Sequence, residues 1–504
     1  MPGYIQSMNY VSYVRLQSLA QPEAVAVRDE EKTWTYGELM SDVQRGAAVL
    51  ADNGVEAGDV LALALPNSYE FIVGTLAGLA REAMVAPINP EYREGEFDHI
   101  LPEADPDAIV STTAVADRVS HIAPMETTWL TVDGTTATSV DFVDSLKTAD
   151  GGYRIPPTSA DTPAFLLYTS GTTGQPSGAV HTHDTVIAVS DACAVSYELT
   201  VGDRFLAAMP LYHCTGASIV TSTLKIGGEV VLYEDWDAES TLKLLDEYDI
   251  NAFSGVPTMF QDWLALDDGT YDCEAMHTAV IGGSDVTADL IKRSEALLGC
   301  PVLNGYGMTE TFIAGIWEDR YNERRPPSVG QMEDSLIEAS IVDPKTGEEQ
   351  PPGEPGELRL RGRPLLDEYY RRPELTEEAF DGEWFYTRDL AKRDEDNYLY
   401  ILDRLDDTIL CGGHNVYPQE VEATIEDLDG VKQAIVVGRD DERKGQKPVA
   451  VVSRTDSGVT ESIVREHCLE QLAAYKHPRE VQFVDSFPLN DVGKVDRDTL
   501  RERV

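Results

Sequence analysis

Apolar positions along this chain of 504 residues follow two alternating rhythms. The run VLALALP, from Val60 to Pro66, is short and continuously apolar, which predicts a strand buried on both faces. From Ser68 to Ala83 the apolar residues fall at helical spacing, and MVAPINP then returns to strand. The alternation recurs in EVVLYE, in the amphipathic stretch from Ser240 to Tyr248, and in AFSGVP. Strands separated by single helices predict βαβ units, hence an α/β fold of parallel sheets flanked by helices. No internal repeat stands out.

The pattern changes twice. From about Ser340 to Arg372 the chain is rich in Gly, Pro and Glu around short runs such as ELRLRG, predicting a small β-rich subdomain. After YLYILDRLDD, from Tyr398 to Asp407, it becomes α+β. A helix from Pro418 to Leu428, the strands QAIVVGR and PVAVVSR, and a helix near Ser462 to Tyr475 are expected. The expected domains are therefore a large N-terminal α/β domain over residues 1–403, a hinge at 404–406, and a small α+β C-terminal domain over 407–504. The last is long enough to be an independent unit.

Composition adds one anomaly. Acidic residues number 89 against 40 basic ones, a net charge of −49, and only twelve of the basic residues are Lys. The acid is spread along the chain rather than gathered in a tail. On a foldable chain this suggests a surface suited to molar salt, where the Debye length is about 3 Å and self-repulsion is screened. Such a surface argues against nucleic acid and anionic membrane as partners. The six cysteines, Cys193, Cys214, Cys273, Cys300, Cys411 and Cys468, show neither zinc spacing nor a disulfide framework. No basic n-region with an apolar stretch follows Met1, and the apolar run around Phe71 to Ala80 is too short to span a bilayer. A cytoplasmic protein is expected.

The strongest chemical signal is FLLYTSGTTGQPSGAV, from Phe165 to Val180. A buried strand feeds a loop of Thr169, Ser170, Gly171, Thr172, Thr173 and Gly174. Glycines let backbone N–H groups converge on one anion, and the hydroxyls add donors. By residue type alone this is an anion-binding loop.

The loop resembles the signature of the adenylate-forming superfamily: acyl-CoA synthetases, peptide-synthetase adenylation domains and luciferases. NGYGMTE (Asn304 to Glu310), WFYTRD (Trp384 to Asp389), YILDRLDD (Tyr400 to Asp407), GGHNVYPQEVE (Gly412 to Glu422) and PLNDVGKVDR (Pro488 to Arg497) follow in that family's order. The resemblance implies a two-domain fold with a C-terminal lid. It also implies an enzyme that joins a carboxylic acid to ATP as acyl-AMP and passes the acyl group to coenzyme A. ATP, Mg²⁺ and CoA are then the expected small molecules.

The resemblance also implies roles. Within NGYGMTE, Asn304 and Gly305 lie in the nucleotide site, Tyr306 packs on adenine, Thr309 bonds the α-phosphate and Glu310 helps to hold Mg²⁺. Gly283 and Ser284, in GGSDV, belong to a loop beside adenine and the acyl pocket. Asp389 accepts from ribose hydroxyls, Arg404 contacts ribose or phosphate, and Asp406 is the hinge. Gly412 and Gly413 line the pantetheine tunnel. Lys494 bonds the substrate carboxylate and steadies charge at the α-phosphate. His213, in PLYHCTG, lines the acyl pocket. Amino-acid-activating members usually carry Phe-Asp at this point, so Tyr212-His213 disfavours an amino acid.

Two positions depart from the family: Ser177 where the loop usually has Lys, and Arg388 where Thr-Gly-Asp is usual. The expected substrate is a medium- or long-chain fatty acid. An aromatic acid, a carrier-protein acceptor and a non-catalytic nucleotide or acyl binder are the alternatives, and a homodimer is left open.

Overall fold

Ser68 shows how the alternation becomes structure. The apolar run forms the strand Val60–Ala64, buried along its whole length. Ser68 then takes an extended backbone, and its hydroxyl accepts the Phe71 N–H to cap the helix Tyr69–Ala80. Glu70 is the one residue of that helix that is not buried. The helix ends three residues before Ala83, and Glu82 turns the chain with φ 61°. The strand Met84–Pro87 then pairs in parallel with Val60–Ala64. This computed structural model describes residues 9–169, 176–266, 269, 271–284, 286–332, 337–411, 414–441, 443–489 and 495–504, the side chains of Asp406 and Asn415 excepted.

The chain forms two compact units. The larger comprises Met1–Gly330, Asp334–Glu338 and Arg361–Glu383 and contains two eight-stranded sheets. In one sheet the spatial order is Glu368–Tyr369, Ser177–Thr182, Pro163–Thr169, Met84–Pro87, Val60–Ala64, Ala108–Ser111, Thr128–Thr131, Ser139–Asp141. Ser177–Thr182 runs antiparallel to both neighbours, and the other pairings are parallel. In the other sheet the order is Ile316–Trp317, Val302–Tyr306, Thr278–Gly282, Ala252–Gly255, Arg204–Ala207, Glu229–Leu232, Val25–Arg28, Thr33–Thr35. It is parallel from Val302–Tyr306 through Val25–Arg28.

The main apolar core takes Leu61 and Leu63 from one sheet and residues such as Val230 and Phe253 from the other, together with the helices between the strands. Val60, Ala62 and Ala64 point the other way, into a second core with Phe97 and Ile100. Burial on both faces explains why these strands read as continuous apolar runs.

The smaller unit comprises Gln331–Glu333, Ala339–Leu360 and Trp384–Val504. Its strand Trp384–Arg393 pairs antiparallel with Gly356–Arg361 and with Leu399–Arg404. Beyond these lies an α+β layer. Val431–Asp441 and Gly445–Arg454 form a long antiparallel pair, Glu480–Val484 joins it in parallel, and the helices Pro418–Glu426 and Glu461–Gln471 pack on it. The second helix ends earlier than expected, because Leu472 is already extended (φ −118°, ψ 160°).

All six cysteines are buried free thiols. Among the described residues, no helix is long and apolar enough to cross a membrane.

One glycine links the fold to the region of His213. Gly216 lies in the first turn of the helix Cys214–Ile226, where an added Cβ would overlap the Pro210 carbonyl. Backbone must move to admit it. Gly216→Ala is therefore expected to lose about 1–3 kcal/mol, read as a lower urea midpoint at unchanged slope.

Candidate active site

Parallel pairing brings the carboxyl ends of neighbouring strands to one edge, the usual ligand position in open α/β sheets. In the second sheet of the larger unit, that edge receives three of the expected segments. Arg204–Ala207 leads to Tyr212 and His213, Thr278–Gly282 leads to Gly283 and Ser284, and Val302–Tyr306 itself carries Asn304, Gly305 and Tyr306.

Close approach explains the glycines. Gly282 and Gly305 are in register, and a Cβ on Gly282 would overlap the Gly305 carbonyl. A Cβ on Gly305 would lie 2.9 Å from the Trp317 indole. Gly283 has φ 83°, a left-handed conformation that favours glycine. Ser284 beside it is exposed. Asn304 is buried, and its amide donates to the Pro327 and Ser328 carbonyls at 3.1 and 3.2 Å. That side chain holds a loop. Tyr306 is half-buried.

His213 begins the helix Cys214–Ile226. Its Nδ1 accepts the Thr215 N–H at 3.3 Å, so the neutral ring carries its proton on Nε2. The Cys214 thiol lies 3.5 Å from that Nδ1 and 3.9 Å from the Thr309 hydroxyl, which sets His213 and Thr309 on either side of one sulfur.

Thr309 and Glu310 sit in the 3₁₀ turn Thr309–Thr311. Gly307 precedes it, where a Cβ would overlap the Ile313 carbonyl. Phe312 and Ile313 follow with φ 49° and 73°. Left-handed backbone costs a residue with a side chain about 1–2 kcal/mol, and β-branched Ile313 is an outlier there. The turn is therefore strained and is held from outside. The Thr309 carbonyl accepts the Phe312 N–H at 2.9 Å and His181 Nε2–H at 2.8 Å. The Tyr369 hydroxyl donates to Glu310 Oε1 at 2.9 Å, and the Leu366 N–H donates to the Glu310 carbonyl at 2.7 Å.

His181 lies on Ser177–Thr182 and Tyr369 on Glu368–Tyr369, two paired strands. In the same hairpin Thr169 is in register with Ser177, which is buried.

In the smaller unit, Asp389 and Arg404 are directly opposed on paired strands, with Nε 3.6 Å from Oδ1. Asp389 is buried, and its N–H donates to the Thr387 hydroxyl. Between Thr387 and Asp389, Arg388 has φ 61°, the backbone that a glycine adopts without strain. Asp403 accepts the Arg404 N–H and, across a gap in sequence, the Gln419 N–H at the start of the helix Pro418–Glu426. Burial raises its carboxyl to about 7, against the lowering field of Arg497.

Ser170, Gly171, Thr172, Thr173, Gly174, Gly412, Gly413 and Lys494 lie outside the described residues, as does the Asp406 side chain. Among the described residues, no three His, Cys, Asp or Glu side chains group to hold a metal ion. His181, Cys214 and Tyr369 were missed in the sequence. The single usable signal was a histidine inside the apolar run GAVHTH.

A family model described as "AMP-binding enzyme" matches residues 14–370, and one described as "AMP-binding enzyme C-terminal domain" matches residues 420–494. The long-chain-fatty-acid–CoA ligase FadD13 of Mycobacterium tuberculosis is 30% identical over 97% of this chain and 95% of its own. Feruloyl-CoA synthase of an Amycolatopsis species is 31% identical over 96% of each. The crystal structure of ATP-bound MatB from Rhodopseudomonas palustris superposes with a TM-score of 0.90 at 31% identity, covering 98% of this chain and 99% of that one.

The buried histidines set a pH dependence. Burial lowers His181 to about 3 and His183 to about 4. Each takes up a proton only on unfolding. Its contribution is complete above the ordinary value of 6.5 and is lost as pH falls toward the folded value. Asp403 has the opposite sign, its contribution complete below 3.8 and lost as pH rises through about 7. His183 Nδ1 accepts the Tyr10 N–H at 3.2 Å, and Asn can supply an acceptor there. His183→Asn should therefore flatten the fall in stability between about pH 6 and 5 by about 1.4 kcal/mol per pH unit. Urea unfolding of both proteins at several pH values reads the two slopes.

Proposed function

The chain belongs to the AMP-binding enzyme family, and from that premise we propose that it is an AMP-forming acid–CoA ligase acting on a medium- or long-chain fatty acid. In the first step a carboxylate oxygen attacks the α-phosphorus of ATP, and pyrophosphate leaves. In the second the CoA thiol attacks the acyl carbonyl, and AMP leaves.

The observation that carries this reading is the strained turn Thr309–Thr311 beside the helix-capping His213, both within 3.9 Å of the Cys214 sulfur. The Thr309 hydroxyl and the His213 imidazole share one thiol neighbour, and the Glu310 carboxylate is on the residue next to Thr309. Thr309 is the donor to the α-phosphate, Tyr306 the face for adenine, and His213 a wall of the acyl pocket. Gly283, Ser284, Asn304 and Gly305 shape the nucleotide side, Asn304 through the loop its amide holds. Thr169, Ser170, Gly171, Thr172, Thr173 and Gly174 cradle the phosphates. Asp389 takes the ribose hydroxyls, and Arg404, opposed to it, steadies that carboxylate and meets ribose or phosphate. Lys494 supplies the mobile cation for the first step, Asp406 is the hinge between residues 1–403 and 407–504, and Gly412 and Gly413 admit pantetheine.

Mg²⁺ fits the donor set. A small hard cation keeps waters and binds through one or two carboxylates and substrate phosphates rather than a protein cage. Glu310 offers a half-buried carboxylate oriented by Tyr369. When bound, the ion would neutralise phosphate charge.

A second reading, an aromatic acid, is favoured by feruloyl-CoA synthase, which is as similar to this chain as the fatty-acid ligase. We also propose that activity needs high salt, since a net charge of −49 repels itself when unscreened.

The test follows AMP and pyrophosphate from ATP and Mg²⁺ with fatty, short-chain and aromatic acids in molar KCl, with and without CoA. AMP release is expected to require a fatty acid and CoA together, and Lys494→Ala to lower it roughly 10²–10³-fold. Turnover confined to aromatic acids replaces the substrate. Pyrophosphate release indifferent to CoA points to a carrier-protein acceptor, and ATP binding without turnover reduces the protein to a binder.

A further inference from the structure

The Thr309 carbonyl is saturated from two directions. Its own turn contributes the Phe312 N–H, and a strand 128 residues earlier contributes His181 Nε2–H at 2.8 Å. A carbonyl only accepts, so the bond fixes the proton on Nε2. The ring is fully buried and meets the Phe312 ring edge-on, at 5.2 Å and 87°. Burial keeps it neutral throughout the working pH range. Its other nitrogen, Nδ1, has no hydrogen-bond partner among the described residues.

A buried, unpartnered nitrogen disfavours the folded state. Core filling alone would be better served by Leu or Phe. What His181 adds is one directed N–H, aimed at the carbonyl that closes a turn with two left-handed residues. Strained backbone persists where its surroundings over-determine it.

We propose that His181 is a positioning residue for adenylation: its Nε2–H holds the Thr309 carbonyl, and with it the Thr309 hydroxyl and the Glu310 carboxylate, against the hairpin Pro163–Thr169/Ser177–Thr182. This rests on the roles given to Thr309 and Glu310 above. His181 touches no substrate; it acts through the turn.

Three variants separate positioning from packing. His181→Leu keeps the bulk and removes the donor. His181→Gln puts an amide N–H close to the place of Nε2–H, and His181→Asn puts one closer to Nδ1. Pyrophosphate release is measured at saturating ATP while the acid is varied, beside melting temperature in molar KCl.

His181→Leu is expected to lower kcat roughly 10–100-fold, the scale of an ångström-level misplacement, with KM for the acid unchanged. His181→Gln is expected to recover kcat to within about threefold of wild type, as a restored hydrogen bond should. His181→Asn should fold without recovering it. The proposal is overturned if His181→Leu turns over like wild type, or if folded His181→Gln is as slow as folded His181→Leu. Should His181→Leu fail to fold, equal kcat in the Gln and Asn variants overturns it. A wild-type protein that releases no pyrophosphate with any acid fails the ligase reading itself and this inference with it, an outcome distinct from an active wild type beside indifferent variants.

Discussion

Parallel pairing delivers every strand of a sheet to the same edge with its carboxyl end outward, and the candidate site depends on that constraint. Tyr212–His213, Gly283–Ser284 and Asn304–Tyr306 are far apart in sequence yet belong to one edge of one sheet, the last two from adjacent strands and the first from a strand separated from these by Ala252–Gly255. The edge is crowded, and crowding selects the residues. Gly282 and Gly305 are in register, with the Trp317 indole over the second, so neither position has room for a side chain. His213 does two things at once, closing the start of a helix through Nδ1 and leaving Nε2 as the ring's proton-bearing atom.

Much of this was legible because local physics and tertiary role coincide. VLALALP reads as a buried strand since both of its faces are covered. Ser68 marks a helix start by the same hydroxyl that caps it. The fold class followed from the strand–helix rhythm and motif order, and motif order singled out Thr309, Glu310, Asp389 and Arg404; that the last two are opposed on paired strands was not visible. What stayed hidden has a physical reason. Every residue of Ser177–Thr182 is buried, so no inside–outside alternation singles out His181. Its partner lies 128 residues away, beyond any local pattern. Tyr369 is hidden likewise, 59 residues from Glu310. Asn304 shows the reverse: its place in the motif was visible, but the commitment of its amide to the Pro327 and Ser328 carbonyls was not.

The two departures from the family differ in kind. Ser177 is a buried strand residue in register with Thr169, so the hairpin is completed by a short side chain where a lysine is usual. Arg388, where a glycine is usual, has φ 61°, a left-handed backbone that glycine adopts without strain. The Thr387 hydroxyl bridges the Leu358 carbonyl and the Asp389 N–H, while Glu357 accepts from Arg388 N–H. The turn geometry is thus enforced by its neighbours, which hold Asp389 in place.

Charge divides the same way between inside and outside. Among the described residues the buried carboxylates are Glu229, Glu318, Glu357, Asp389, Asp403 and Glu422. Glu229 meets Arg28 and Arg204, Glu318 meets Arg324, Asp389 faces Arg404, and Glu422 is held by both terminal nitrogens of Arg497. The lysine pairs, by contrast, use carboxylates that are 40–69% exposed. A planar guanidinium matches a desolvated carboxylate at two points and sheds its hydration more readily than an ammonium, which is the reason to keep arginine inside while lysine becomes scarce. Salt screens exposed charges strongly and buried pairs weakly. Dissolved ions therefore act chiefly on the repulsion of the acidic surface, while the buried ion pairs that set internal geometry, Arg497 with Glu422 among them, depend on salt much less.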